Sequence, residues 1–596
     1  MRVERAEGLV VDGRWYRLRV APGGSVAWLE SRPTGERWAE LRLLASIDTL
    51  GVPDETLAVH DPRLEDDQAG ISLTWEQESS CWAARRLVIG ADDEGLTVHA
   101  EVEGRGLVTD VRLLSGRAVL PTTGGGTLHS GRWFDAVLSP SPTDPGRIVR
   151  PGTESSVIGV VSGSEPGRGN WFFTPAPFCY AVSRRPVTDP LAVPDGPWLT
   201  FGLGVPPGQA NFGGFSFVAV DRGFGFVLDY DGKTAVNGSW RTPALRISLD
   251  PGVSGPYEAI AAHGRWLQNQ GLAPDDAFVS AATPAWWREP TFCGWGEQCR
   301  LAILDGAGFG GASAYSTQAL YDRMLGHLAQ QGVVPGTIVI DDKWQRAYGT
   351  NEPDPQRWPD LPGWIRERHA TGQHVLLWWK AWDAERLPAS WCVRSKTGEV
   401  LGIDPSHPEA ARAIGESVRR MLDPDGLGAD GLKIDFTART PSGVATTHNG
   451  SAWGVELLRA LLRIVHDEAK RVRPDALLVG HVPNPLVAGL VDMIRLNDTL
   501  RLSDPEPRVD VVAQMRHRAA VVRAACPGKL VDTDDWCAPD LATWRAYAAV
   551  KPDLGVPALY YATGLDLSGE PFEPSDYELV RRVWTDYRYR EGLPAR

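Results

Sequence analysis

A chain of 596 residues, 43% hydrophobic and 23% charged, has the composition of a folded globular protein and not of a disordered or low-complexity one. Its net charge of −14, from 75 acidic against 61 basic residues with no basic run, argues against nucleic acid and anionic membranes as partners. No stretch approaches the roughly 18 apolar residues of a membrane span, and the opening MRVERAEGLVVDGRWYRLRV has no apolar leader segment, so a cytoplasmic protein is expected.

Residues 1–285 read as one domain. Short alternating runs recur, among them GLVVDGRWYRLRV (8–20), GISLTWEQ (70–77), GLTVHAEV (95–102), VRLLSGRAVL (111–120), SSVIGVVSG (155–163), FSFVAVD (215–221) and ALRISLD (244–250). Gly, Pro and Asp clusters separate them, and many short strands between turn signals predict an antiparallel β-sandwich. Only residues 256–270 read as a helix there.

Residues 286–596 change character. Eight apolar runs alternate with helical patterns such as 316–331, 364–371, 455–472 and 509–525. The runs are FCGWG (292–296), GTIVIDD (336–342), HVLLWWK (374–380), GLKIDF (431–436), ALLVGHV (476–482), DMIRLND (492–498), KLVDTDDW (529–536) and PALYYAT (557–563). Eight such units over about 290 residues predict a (β/α)8 barrel, a TIM barrel. No GxGxxG turn follows the first run, which disfavours a doubly wound sheet.

Seven scattered cysteines, an odd number, fit reduced thiols and not a disulfide framework. No pair has zinc-finger spacing and there is no HExxH, so neither a metal nor another cofactor is expected. The 24 tryptophans suit a carbohydrate site, because sugar rings present flat C–H faces to indoles.

A barrel carries its chemistry at the carboxyl ends of its strands. Here those ends hold Trp295 and Glu297, then Asp341, Asp342, Lys343 and Trp344, then Trp378, Trp379, Lys380, Trp382 and Asp383. Further along come Lys433 and Asp435, His481, then Arg495, Asn497 and Asp498, and finally Asp532, Asp534, Asp535 and Trp536. This neutral to acidic ring disfavours phosphate-rich substrates and suits hydroxyl groups bound by charge-assisted hydrogen bonds.

The segment GLKIDF places two charges in an apolar strand, where an unpaired buried ion would cost several kcal/mol. A structural Lys–Asp ion pair would satisfy it. Glycoside hydrolysis gives it a use, since that reaction needs two carboxylates on different strands, one to attack and one to protonate the leaving oxygen. Asp435 is the nucleophile candidate, with Lys433 close enough to keep it ionised. The acid is Asp498 or Asp504, which share an Arg-X-X-Asp pattern starting at Arg495 and Arg501. Asp498 is favoured because it abuts an apolar strand, whereas Asp504 precedes Pro505. Asp532, Asp534 and Asp535 also fit turn and N-cap roles before a helix near residue 541. His369 and His374 read as structural, and Cys293 and Cys299 as inert.

Several of these segments resemble glycoside hydrolase family 36 and its clan relatives, the α-galactosidase and raffinose-synthase group. FCGWGEQ (292–298) is similar to the first barrel strand of the raffinose-synthase branch, and IVIDDKWQ (338–345) to its Asp-Asp-Gly-Trp-Gln motif, with Lys343 in place of the glycine. ADGLKIDF (429–436) matches the Lys-X-Asp nucleophile motif, MIRLNDT (493–499) an Arg-X-Ser-Asp segment with Asn497 for serine, and LVDTDDW (530–536) a strand-seven acidic motif.

The resemblance implies an N-terminal β-supersandwich ahead of the barrel. It implies a retaining, exo-acting α-glycosidase, an α-galactosidase first, acting on an oligosaccharide or glycoside without a cofactor. Asp435 would be the nucleophile and Asp498 the acid/base. Asp341, Asp342, Lys433 and Arg495 would bind glycone hydroxyls, with Trp344, Trp378 and Trp379 shaping the pocket. Trp295, Lys380 and Asp534 complete the expected substrate contacts from the strand-end ring. Lys343 and Lys380 depart from an ordinary galactosidase and leave the glycone open. Galactosyl transfer by the same residues and a non-catalytic sugar-binding protein are the alternatives, and a homo-oligomer stays open.

Overall fold

The computed structural model describes residues 2–6, 8–67, 70–120, 124–132, 136–140, 155–160, 173–183, 197–221, 223–250, 252–278, 283–499 and 510–596. Asp504 lies outside the described residues.

Up to Leu249 the described chain is a large, largely antiparallel network of strands. Gly70–Ser79 pairs with Ala84–Asp92, which pairs with Gly95–Leu113. Two strands, Gly95–Leu113 and Gly223–Arg241, run 19 residues each and pair with one another, far longer than the short strands expected. The apolar alternation lapses over residues 103–107, where Glu103, Arg105 and Leu107 are exposed. The ladder continues regardless, because its bonds are made by backbone groups. Aromatic rings fill much of this core: Phe201 and Phe226 lie 4.9 Å apart, and Phe215 stacks on Phe226.

From Thr291 the chain builds a parallel eight-stranded sheet. Its strands are β1 Thr291–Cys293, β2 Thr337–Ile340, β3 His374–Lys380, β4 Gly431–Asp435, β5 Leu477–Gly480, β6 Met493–Arg495, β7 Leu530–Asp532 and β8 Ala558–Leu559. Each pairs with the next through β7, and β8 pairs back with β1. A single bridge, Asp532 to Val556, joins β7 to the lead-in of β8, so the sheet is a nearly closed barrel. The runs TIVI of β2 and LLVG of β5 are buried at every position, as strands covered on both faces must be. A Cβ on Gly431 would lie 2.0 Å from the Leu477 carbonyl oxygen, so the close approach of β4 and β5 requires glycine there.

Most barrel strands are shorter than their apolar runs. β1 stops at Cys293 and the helix Trp295–Leu304 begins at once, so Trp295 sits on a first helical turn and not on a strand. Gly294 permits that turn, since a Cβ there would lie 2.3 Å from the Tyr321 hydroxyl. The outer helices start on capping side chains: Thr317, Asp360, Asp510 and Asp540 each accept from a backbone N–H of the first turn. Asp540, and not Asp532, Asp534 or Asp535, therefore caps the helix Leu541–Leu554. A small antiparallel sheet joins Cys392–Ser395 and Val400–Ile403, which lie between β3 and β4, to Thr446–Thr447, which follows β4.

The antiparallel part meets the barrel beside the strand ends. The Thr174 N–H donates to the His481 carbonyl at 3.0 Å, the Asn484 side-chain amide donates to the Ala176 carbonyl at 2.8 Å, and the Trp453 N–H donates to Asn211 at 3.1 Å. All seven cysteines are free thiols. Among the described residues no group of His, Cys, Asp and Glu is arranged to hold a metal, and no helix is long and apolar enough to cross a membrane.

Candidate active site

Four non-glycine residues with left-handed backbone follow the barrel strands closely: Lys343 (φ 75°) after β2, Trp382 (φ 69°) after β3, Phe436 (φ 61°) after β4 and Asn497 (φ 67°) after β6. Each such residue costs on the order of 1 kcal/mol or more and persists only where its surroundings hold it. Their clustering at one end of the barrel marks where the chain bends to aim side chains inward. The Lys343 conformation also accounts for a glycine in the motif it resembles.

Below these turns lies a pocket of about 260 Å³, lined by Trp295, Asp341, Asp342, Trp378, Lys433, Asp435, Phe436, Ala438, Arg439, His481, Arg495, Asn497, Asp498 and Trp536. Its floor is a buried ionic network. Lys433 Nζ donates to Asp341 Oδ2 at 2.7 Å, and the Cys293 thiol donates to the same oxygen at 3.1 Å. Burial pushes the Cys293 thiol well up, so it stays protonated and inert. Asp341 is fixed from behind by its own N–H, which donates to the Tyr321 hydroxyl at 2.8 Å.

Asp435 ends β4. Its Oδ1 accepts from Arg495 Nη2 at 3.0 Å and from the Phe436 N–H at 2.9 Å, and its Oδ2 accepts from the Trp378 indole at 3.1 Å. Burial, the largest single influence, opposes ionisation, but the Arg495 guanidinium, with Lys433 and the Trp378 indole hydrogen bond adding to it, holds the carboxyl well below the usual carboxylate range. Lys433, expected to do this, is engaged with Asp341 and contributes less.

The same Arg495 donates through Nη1 to Asp534 at 2.9 Å, and that nitrogen lies 3.9 Å from Asp498 Oδ1. Burial pushes Asp498 up to about 7; Arg495 pulls the other way, while the charges of Asp534 and Asp435 add to burial. Arg518 secures the turn that carries Asp498, donating through one nitrogen to the carbonyls of Leu496 (2.7 Å), Asn497 (3.1 Å) and Asp498 (2.5 Å). Asp435 and Asp498 thus sit on one guanidinium with opposed proton affinities, the arrangement by which two carboxylates divide nucleophilic and acid roles.

Of the residues singled out from the sequence, the pocket collects Trp295, Asp341, Asp342, Trp378, Lys433, Asp435, Arg495 and Asp498. The others stand off its wall. Trp344 is wholly buried and donates its indole N–H to the Trp378 carbonyl at 2.8 Å, so it backs the wall without facing the cavity. Trp379 neighbours Trp378 on a pleated strand and points to the opposite face, into the core. Lys380 turns to Asp383 at 2.7 Å and lies 4.0 Å above the Tyr348 ring. Asp534 is fully buried behind Arg495. His369 and His374 both flank Asp430 and are structural, as expected.

Three pocket residues had appeared only as strand-end side chains: His481, Asn497 and Trp536. Burial holds the His481 imidazole down to about 3, so it is neutral, and its Nε2 is 2.6 Å from the Thr437 hydroxyl. Arg439 and Tyr348 were missed entirely. Both lie on turns where no periodicity operates. The Tyr348 hydroxyl donates to Asp342 at 2.7 Å, and its ring is flanked by Lys343 Nζ at 3.6 Å and Lys380 Nζ at 4.0 Å. Burial pushes Asp342 up to about 6, against the pull of that hydrogen bond.

No family model and no curated protein sequence matches the chain. Solved structures do. A GH31 family sulfoquinovosidase from E. rectale superposes with a TM-score of 0.57 at 10% identity, over 100% of this chain and 84% of that one. A cycloalternan-degrading enzyme from Trueperella pyogenes matches with a TM-score of 0.51 at 13% identity, over 88% of this chain and 82% of the other. An α-galactosidase from Thermus thermophilus matches with a TM-score of 0.50 at 16% identity, over 87% of this chain and 99% of that one. At these identities the likeness is one of fold: a multidomain chain with a large antiparallel region and a parallel barrel.

Proposed function

We propose that the chain is a retaining exo-acting α-glycosidase, with α-galactosides as its first candidate substrates. In this reading residues 1–285 form the β-supersandwich and residues 286–596 the catalytic (β/α)8 barrel. The observation that carries it is the pair Asp435 and Asp498 on Arg495, one held ionised and the other pushed up to about 7. Asp435 attacks the anomeric carbon while Asp498 gives its proton to the leaving oxygen. Water, deprotonated by Asp498, then attacks the glycosyl–aspartate and releases the sugar. One guanidinium reaching both carboxyls suits the close spacing, about 5–5.5 Å, of retaining pairs.

The pocket fits that role. Asp341, Asp342 and Lys433 present charged hydrogen-bonding groups to the glycone hydroxyls, and Trp295, Trp378 and Trp536 present indoles to its C–H faces. A volume of about 260 Å³ lies just below the roughly 300–1,000 Å³ of drug-sized sites and suits one sugar ring better than a chain.

The test is a panel of para-nitrophenyl glycosides: α- and β-galactoside, α-glucoside, α-N-acetylgalactosaminide, β-L-arabinopyranoside and an α-uronide. One α-glycoside should be cleaved with release of the α-anomer first, and Asp435→Asn should lower kcat by about 10⁴-fold or more. Turnover at near wild-type rate in Asp435→Asn, or release of the β-anomer first, would sink the mechanism.

A further inference from the structure

The short turn Thr437–Arg439 follows directly on Asp435 and Phe436 and brings one more cation to the pocket. The Arg439 guanidinium carbon sits 4.0 Å from the centroid of the Phe436 ring, which stands edge-on to Trp378 with centroids 6.1 Å apart. The other cations of the pocket wall are committed: Lys433 to Asp341, and Arg495 to Asp435 and Asp534. Among the described residues no carboxylate pairs with Arg439. Its position also differs. Lys433 and Arg495 are 2% and 3% exposed and belong to the floor, whereas Arg439 is exposed at the mouth.

We infer that Arg439 receives an anionic group on the leaving-group side of the substrate, an inference that rests on the glycosidase reading of this pocket. In an exo-acting site the glycone fills the floor and the leaving group occupies the mouth. A guanidinium held 4.0 Å over an aromatic ring is anchored by that ring while its N–H groups can still reach a ligand. Such a fork matches a carboxylate, sulfate or phosphate in a bidentate way, which a lysine cannot do. The substrate class is therefore an α-glycoside whose aglycone carries an acid near the scissile bond.

The experiment compares wild type, Arg439→Gln and Arg439→Lys on two pairs of aryl α-glycosides, the first pair built on the glycone that the panel identifies. One pair differs by a carboxylate on the aryl ring; the other carries a neutral aryl group and differs by an acidic against a neutral glycone. The ratio of kcat/KM for charged over neutral leaving group should fall about tenfold or more in Arg439→Gln, partly recover in Arg439→Lys, and shrink as salt is raised. An unchanged ratio in Arg439→Gln would overturn the inference while leaving the glycosidase reading intact. A dependence confined to the acidic glycone would overturn the leaving-group assignment. If wild type cleaves nothing in the panel, the result points to an unusual glycone, to transfer chemistry or to a binding protein. Quenching of the pocket tryptophans by the carboxylate-bearing ligand, present in wild type and absent in Arg439→Gln, then shows whether the anion contact stands without turnover.

Discussion

Lys433 on β4 and Asp341 just beyond β2 meet across β3, Nζ to Oδ2 at 2.7 Å, with each side chain 3% exposed. This contact ties three strands of the barrel floor together. Removing the lysine alone strands a buried carboxylate. Lys433→Met should cost about 3–5 kcal/mol of stability, measured by denaturant unfolding, and Lys433→Met combined with Asp341→Leu should recover much of it. A loss of about 1 kcal/mol or less in the single variant would mean that the pair behaves as an exposed one.

The pH–rate profile follows from the two carboxyls on Arg495. Asp435 is held well below the usual range, so it is ionised at any working pH. Asp498 must be protonated for the first step and is pushed up to about 7. The kcat/KM should therefore fall as pH rises through about 7, and also fall below about 6, where Asp342 protonates and binds hydroxyls less well. Asp498→Asn should abolish that basic limb and hurt poor leaving groups far more than nitrophenolate. A basic limb that survives in Asp498→Asn would assign the acid to another residue.

Arg518 is fully buried and holds three successive carbonyls at the turn that carries Asp498. Arg518→Met leaves them without that donor, at about 1–3 kcal/mol for each that finds no other partner. The melting temperature should fall, and kcat should drop about tenfold or more as Asp498 loses its placement. An unaltered kcat at unaltered stability would show that the turn holds itself.

Tyr348→Phe removes the hydrogen bond that pulls Asp342 down, so the Asp342 carboxyl should titrate above its present value of about 6. At pH 7 it would then be less ionised and bind hydroxyls less well. KM should rise about tenfold at pH 7 and recover toward wild type by pH 8. The same KM penalty at both pH values would point to lost packing and not to protonation.

The fold was written along the chain. Apolar runs such as TIVI and HVLLWWK, spaced by helical patterns, required a parallel sheet covered on both sides, because strands with no polar face cannot meet water, and eight of them suited a barrel. GLKIDF likewise announced two buried charges that had to be satisfied. What the one-dimensional pattern left open was the partner of each charge. Lys433 and Asp435 are two residues apart and share a face of β4, yet the lysine goes to Asp341 and the aspartate to Arg495, more than fifty residues away in either direction. Trp378 and Trp379 are adjacent and chemically identical, and only the pleat of β3 sends one to the pocket and the other to the core. Tyr348 and Arg439 lie on turns with no period, so nothing in the chain distinguished them. Local pattern determines strand, helix and burial, because those depend on near neighbours along the backbone. Which side chains meet at the strand ends depends on barrel closure and on four left-handed turns, and those exist only once the whole sheet has formed.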